Sequence, residues 1–246
     1  MTKILTHWLT VLITLTVLFA LRMQDGGLTE TARLKSFDYL QSTDAVVEST
    51  DIVVVEFDEA AIEAFGQWPW PRDYLADVIN HLRGQGAGLI ILPVLFSEED
   101  RAGKDDVFAN TLQGNGVIIA QTGTAQTNKN AVPRGIAKIG DPIPWLFEWA
   151  GMLGPIPILG KSADGVGVLN IAPERDGVVR RVPLIMTVAG ETYPALAIEA
   201  IRVATQAPSY QVKAGPTGVQ AVRVPGYPTI TTDPYARIWL RWNKQF

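Results

Sequence analysis

The 246-residue sequence predicts an α/β fold: a mostly parallel central sheet with flanking helices and added antiparallel hairpins, preceded by one N-terminal transmembrane helix. Three observations carry that prediction. Short β-branched runs alternate with stretches of helical spacing, the links between them are short, and one uncharged apolar run opens the chain. Strands alternating with helices in this way favour parallel strands with helices laid on the sheet.

Ile4 to Leu21 are 18 residues without a formal charge when His7 is neutral. As a helix they span roughly 27 Å at 1.5 Å per residue, close to a bilayer core of about 30 Å. Thr6, Thr10, Thr14 and Thr16 dilute the run, but a helical hydroxyl is satisfied by a preceding carbonyl. An uncleaved signal anchor is the expected reading. A cleaved signal peptide is the rival, although Leu18-Phe19-Ala20 and Ala20-Leu21-Arg22 make poor cleavage sites. A buried soluble helix is the third. Lys3 faces Arg22, Arg33 and Lys35 across the run, so charge leaves orientation open. Thr29 to Gln41, with Leu34, Phe37 and Leu40 at helical spacing, read as a stalk.

The body begins with Asp51 to Asp58, whose Ile52-Val53-Val54-Val55 core suits a strand buried on both faces. A short helix through Ala60, Ile62 and Phe65 stops at Gly66. Pro71 opens the next helix, which carries Leu75, Val78, Ile79 and Leu82 on one stripe. Leu89–Phe96 and Gly116–Gln121 read as strands flanking a helix at Asp105–Leu112. Thr122 to Arg134 form a polar loop, and Trp145 to Leu153 are expected to be helical. Val166–Ile171 and Val178–Val188, joined through Asp176-Gly177, read as a hairpin. A helix at Pro194–Thr205 and strands near Val219–Val224, Thr229–Thr232 and Arg237–Trp242 complete the chain.

Composition excludes several classes of function. Hydrophobic residues make up 47% and charged residues 19%, which removes a disordered spacer or a coiled coil. Net charge is −4 with no basic stripe, so nucleic acid is not an expected partner. There is no cysteine and there are two histidines, which removes thiolate chemistry and any multi-histidine metal site. No cofactor and no metal are expected.

Two phosphate-loop resemblances fail. Gly160-Lys161-Ser162 lacks the upstream glycine of a nucleotide loop, with Pro155 standing there, and Gly84-x-Gly86-x-Gly88 precedes a strand instead of following one. Glu56 and Asp58 share a strand face near an edge where open sheets bind ligands, so a paired-acid site with Asp105 and Asp106 is one reading. A helix-capping Asp58 and a solvated Asp105-Asp106 pair is the expected one. Trp68-Pro69-Trp70-Pro71-Arg72 is the best site candidate: two indoles and a guanidinium on a proline-braced turn suit an apolar, aromatic or anionic ligand. The same tryptophans equally suit a core plug. Arg180-Arg181 either bind an anion or pair with acids such as Asp58, and pairing is expected.

The order of these elements resembles the second type of CHASE domain. It rests on Asp51–Glu59, Trp68–Arg72, an apolar strand ending in Leu95-Phe96-Ser97, Gly167-x-x-Asn170 and Asp176-Gly-Val-Val-Arg180-Arg-Val-Pro-Leu184, and covers roughly residues 28 to 242. Two positions depart from the family pattern: Pro93 stands where an acid is common, and Ala61 where a serine is. The resemblance implies an extracytoplasmic sensory module of a bacterial transmembrane receptor, with a nucleotide cyclase or a histidine or serine/threonine kinase as its output. No enzyme activity is expected in these residues. The tentative ligand-binding set is Trp68, Trp70, Arg72, Asp58, Asn170 and Arg180. The expected organisation is an anchor at 1–22, a stalk helix and linker at 23–50, and a sensor domain at 51–246 that is incomplete at its C-terminus. The expected partners are a small-molecule or ionic signal, the bacterial inner membrane through residues 4–21, and a second copy in a homodimer, with the bulk of the chain periplasmic. The rival functions are a membrane-tethered metal-dependent hydrolase using Asp58, and a non-enzymatic assembly protein.

Overall fold

The computed structural model describes residues 7–24, 27–43, 51–126, 128–171 and 173–242. They fall into two units, one comprising 1–54 and 241–246 and the other 55–240.

In the first unit, α1 (Trp8–Gln24) and α2 (Gly27–Thr43) are helices. The Thr14 and Thr16 hydroxyls donate to the carbonyls of Thr10 and Leu12, both at 2.8 Å, so the threonines cost the apolar helix little. The expected transmembrane helix is corrected. Residues 4–6 lie outside the described residues, and α1 has 17 residues, roughly 25 Å at 1.5 Å per residue, against about 30 Å of bilayer core. Among the described residues no helix is long and apolar enough to cross a membrane.

A second correction falls on the run at 51–58. Its backbone is not in a strand, and Ile52, Val53 and Val54 are 74%, 82% and 61% exposed. β-branching favours an extended backbone, but a ladder also needs a neighbouring strand to bond to.

The second unit starts with α3 (Glu59–Phe65), capped by Asp58, whose Oδ1 accepts from the Ala61 N–H at 2.9 Å. It ends at Gly66, where φ of +84° calls for a residue without a Cβ. α4 (Arg72–Gly84) buries Leu75 and Ile79 of the predicted stripe, with Val78 and Leu82 half-buried and Ala76 buried beside them. β1 (Ile90–Leu95), α5 (Asp105–Leu112) and β2 (Val117–Thr124) follow as the spacing predicts. Next come β3 (Ile136–Ile139), a 3₁₀ turn at Ile143–Trp145, β4 (Phe147–Glu148), β5 (Gly151–Leu153), α6 (Pro157–Ser162) and β6 (Gly165–Val168). The chain continues through β7 (Arg181–Pro183), β8 (Ile185–Val188), β9 (Glu191–Pro194) and α7 (Leu196–Ala204). It then forms β10 (Tyr210–Gly215), β11 (Gly218–Arg223), β12 (Ile230–Thr231) and β13 (Arg237–Trp239).

The fold is mixed α/β, and the mostly parallel sheet is a third correction. β1, β2 and β6 do pair in parallel, but β5 joins the far end of β2 antiparallel. β3 and β10 pair in parallel, while β10–β11, β11–β12, β13–β7 and β8–β9 are antiparallel and β4–β8 is parallel. β1 and β2 are consecutive strands linked through α5, the kind of crossover a parallel pair needs. Beyond residue 180 most links are too short for a crossover, and short links force antiparallel neighbours.

The expected hairpin moves as well. Residues 166–168 pair with β2, and hairpins instead join β8 to β9 through Ala189-Gly190, both at positive φ, and β10 to β11 through residues 216–217. Residues 145–153, expected to be helical, form the end of the 3₁₀ turn and two short strands, and Gly151 lowers the helical propensity of the run.

Leu75, Ile79, Phe108, Leu112 and Leu159 from the helices pack with Val117, Ile119 and Val166 of the parallel strands in one apolar cluster. A second cluster gathers Ile198 of α7 with Tyr210, Val212 and Val222 of the antiparallel sheet. Between them sits a buried ion network. Glu199, with no exposed surface, accepts two bonds of 2.9 Å from Arg202, a third of 3.3 Å from Arg134, and the Tyr210 hydroxyl. Arg202 also donates to the carbonyls of Asp164 (2.8 Å) and Ala207 (3.0 Å), which ties α7 to β6 and to the start of β10.

A second set of pairs pins the β7–β13 ladder. Arg181 reaches both carboxylate oxygens of Glu174 at 2.6 and 2.8 Å and lies 4.9 Å from the Trp239 ring centroid. Hydrogen bonding from Arg181 holds the Glu174 carboxyl below its ordinary value near 4.5, against the opposing effect of burial. A depressed folded-state pKa contributes stability above the unfolded value that is lost as pH falls through the folded one. The unfolding midpoint of the wild type is therefore expected to drop on acidification below about pH 4.5, and Glu174→Gln to drop less. Thermal unfolding at pH 7 and pH 3 checks this, and equal slopes for the two proteins would refute it.

Candidate ligand-binding cleft

The turn after α3 carries Trp68 and Trp70 across a cis Trp68–Pro69 bond, and Pro71 hands the chain to α4. Alternating proline keeps the two indoles on one rigid segment. Trp70 is buried, and its Nε1 donates to the Gly66 carbonyl at 2.7 Å; Trp68 is half-buried. Phe57 packs against both, with ring centroids 5.6 Å from Trp68 and 4.9 Å from Trp70. Phe65 lies 5.5 Å from Trp70 and 6.2 Å from Tyr74, which extends the aromatic wall toward solvent.

Beside this wall a cleft of about 280 Å³ opens at the carboxyl end of β1. Its other side is the chain from Val94 to Ala102. The carboxyl ends of parallel strands are where open α/β sheets bind ligands.

Arg72, the first residue of α4, lines the cleft and is only 8% exposed. Its Nη2 donates to the Glu98 carbonyl at 2.7 Å, its Nε lies 3.3 Å from Asp105 Oδ1, and its guanidinium sits 4.5 Å from the Phe96 ring centroid. Asp105 is at the N-terminus of α5, and its Oδ2 accepts from the Asp100 N–H at 2.8 Å. Burial pushes the Arg72 guanidinium below its ordinary pKa, against the opposing charges of Asp105 and Asp100. Two buried atoms of this pair, Arg72 Nη1 and Asp105 Oδ1, have no hydrogen-bond partner.

The structure thus gathers Trp68, Trp70 and Arg72 in one cleft and gives the other three candidates local partners. Asp58 caps α3. Asn170 clasps β2: its Oδ1 accepts from the Thr122 hydroxyl and the Gly123 N–H, and its Nδ2 donates to the Gly123 carbonyl. Arg180, 1% exposed, forms a two-pronged pair with Asp176 at 2.8 Å, so its acid is Asp176 and not Asp58. Asp105 is not a solvated neighbour of Asp106 but the counter-ion of Arg72.

Sequence reasoning missed this pairing and the part played by Phe57 and Phe96. The signal available was an arginine at one helix start and an acid at another, either side of a predicted strand. Among the described residues no group of three or more acids and histidines is placed to hold a metal.

The family model for the CHASE2 domain matches residues 11–246. No curated protein and no solved structure matches the chain.

Proposed function

We propose that this chain, which belongs to the CHASE2 domain family, an extracytoplasmic sensory family, is the input module of a bacterial signalling receptor that reads a small molecule in the Trp68–Arg72 cleft. What supports the reading is one observation. Two indoles and a buried arginine converge on a concave site at the carboxyl end of β1, a strand of the parallel part of the sheet. The output, a nucleotide cyclase or a protein kinase, is carried outside these residues. The domain acts on the outer side of the inner membrane as a homodimer, and the apolar side chains exposed along α1 favour contact with lipid or a second helix. Ligand binding works by population shift, favouring one arrangement of the dimer over another.

Asp58 already spends its carboxylate on capping α3, which favours the sensory reading over hydrolysis at that residue.

Thermal unfolding of the full chain against amino acids, organic acids, sugars, nucleotides and divalent cations tests the reading. A true ligand at 100 times its Kd adds about 2.7 kcal/mol, a rise of roughly 5 °C or more. Trp68→Ala is expected to abolish the rise while leaving the ligand-free midpoint within a few degrees. No rise with any class, or an unchanged rise in Trp68→Ala, would overturn it.

A further inference from the structure

We propose that two copies of this chain pair by strand exchange: residues 52–55 of each add as a short strand to the free edge of β1 in the other. This is the contact behind the proposed homodimer, and it is independent of which ligand fills the cleft.

Two halves of a β-ladder stand unused in each copy. The first is the segment itself. Ile52, Val53, Val54 and Val55 are all more than half exposed, and among the described residues they take part in no ladder. Four β-branched residues in a row favour a β backbone, and their side chains gain by leaving water.

The second half is β1. Its one ladder partner among the described residues is β2, which makes it an edge strand. The Ile90 N–H donates to the Gly116 carbonyl at 2.9 Å on the β2 side. Ile91 and Pro93, out of step with Ile90, turn their backbone groups to the open side. Pro93 has no N–H to leave unpaired there, as suits a free edge. Ile91 and Leu95 expose their side chains beside it.

Open edges in natural sheets commonly carry charges that discourage pairing, and Ile90 to Leu95 carry none. Ile52 to Val55 carry none either, so the two strands meet without repulsion. Asp51 and Glu56 bracket the segment and confine the contact to its four apolar residues.

A second copy is the occupant because each chain carries both halves and pairs neither within itself. Reciprocal exchange about a two-fold axis uses both at once and closes the assembly. Two exchanged strands, with the surfaces they cover, bury on the order of 1,000 Å², the least a specific interface needs. A contact of that size suits a dimer whose arrangement a ligand shifts. Phe57, two residues after the segment, packs on Trp68 and Trp70, so the exchanged strand runs straight into the aromatic wall of the cleft.

Disulfide trapping tests the exchange, and the chain has no cysteine of its own to interfere. Full-length Val53→Cys and Val54→Cys proteins are each mixed with separately tagged Ile91→Cys protein in detergent micelles and oxidised. All three positions are exposed, so the substitutions spare the core. Facing residues on adjacent strands have Cα atoms about 5 Å apart, within the roughly 4.4–6.8 Å that a disulfide spans. At least one mixture is expected to give a linked heterodimer at about tenfold the yield of exposed Ile139→Cys mixed with Ile91→Cys, because residues held in a ladder meet at a far higher effective concentration than colliding ones. A yield at the Ile139→Cys background in both mixtures overturns the exchange. So does a link that forms only within one chain when both cysteines share it, which would put residues 52–55 on their own β1. Ile91→Cys copies that link only to one another overturn it as well, in favour of a β1–β1 contact. Each of these results leaves the reading of the cleft as the sensory site untouched.

Discussion

Glu199→Ala is expected to destabilise the domain by about 3–5 kcal/mol, a large part of the 5–15 kcal/mol that holds a typical domain together. The magnitude follows from what the deletion leaves behind. Arg202 is buried and would lose both bonds to the carboxylate, while Arg134 and the Tyr210 hydroxyl would lose their shared acceptor. Uncompensated buried charge costs far more than the ion pair contributes when intact. The network joins α7 to β6 and β10, so the apolar clusters on both sides should loosen together. Urea unfolding at pH 7 measures it, with exposed Glu148→Ala as the control expected within about 0.5 kcal/mol of wild type. A Glu199→Ala midpoint equal to the control would mean the network carries no net stability.

Phe108→Ala is expected to cost a similar 3–5 kcal/mol, by a different route. Phe108 has no exposed surface and meets Phe96 edge to face, with centroids 5.1 Å apart. Deleting the ring leaves a cavity at the centre of the larger apolar cluster. It also removes the support of Phe96, over which the Arg72 guanidinium lies. The variant should therefore lose ligand affinity as well as stability. Phe108→Leu, which restores most of the volume, should recover a large part of both. Unfolding midpoints with and without ligand separate the two effects, and a stable variant that keeps full affinity would remove Phe108 from the chain of support.

Much of the fold was legible because its signals are local. The stripe on α4, the apolar runs of β1 and β2, and the Asp58 and Gly66 caps of α3 each depend on residues close in sequence. The errors fall where pairing over distance decides. Ile52 to Val55 have the composition of a buried strand, but composition cannot supply a neighbour to bond to. Residues 166–168 read as one arm of a hairpin, yet their partner is β2, about fifty residues earlier in the chain. The site divides the same way. Trp68, Trp70 and Arg72 lie within one five-residue segment, so their convergence on the cleft follows from local sequence. The Arg72–Asp105 pair joins residues on two helices with a strand between them, and only the packed sheet brings them together.

Hydrogen exchange with mass spectrometry tests the central claim most directly. The full chain is compared with and without the metabolite that raises its unfolding midpoint, and protection is read along the backbone. The Trp68–Arg72 cleft as signal receiver predicts that slowed exchange concentrates in residues 66–75 and 94–105. Protection confined to the Asn170–Arg181 region, or to the antiparallel sheet, with no change at the cleft, would contradict it.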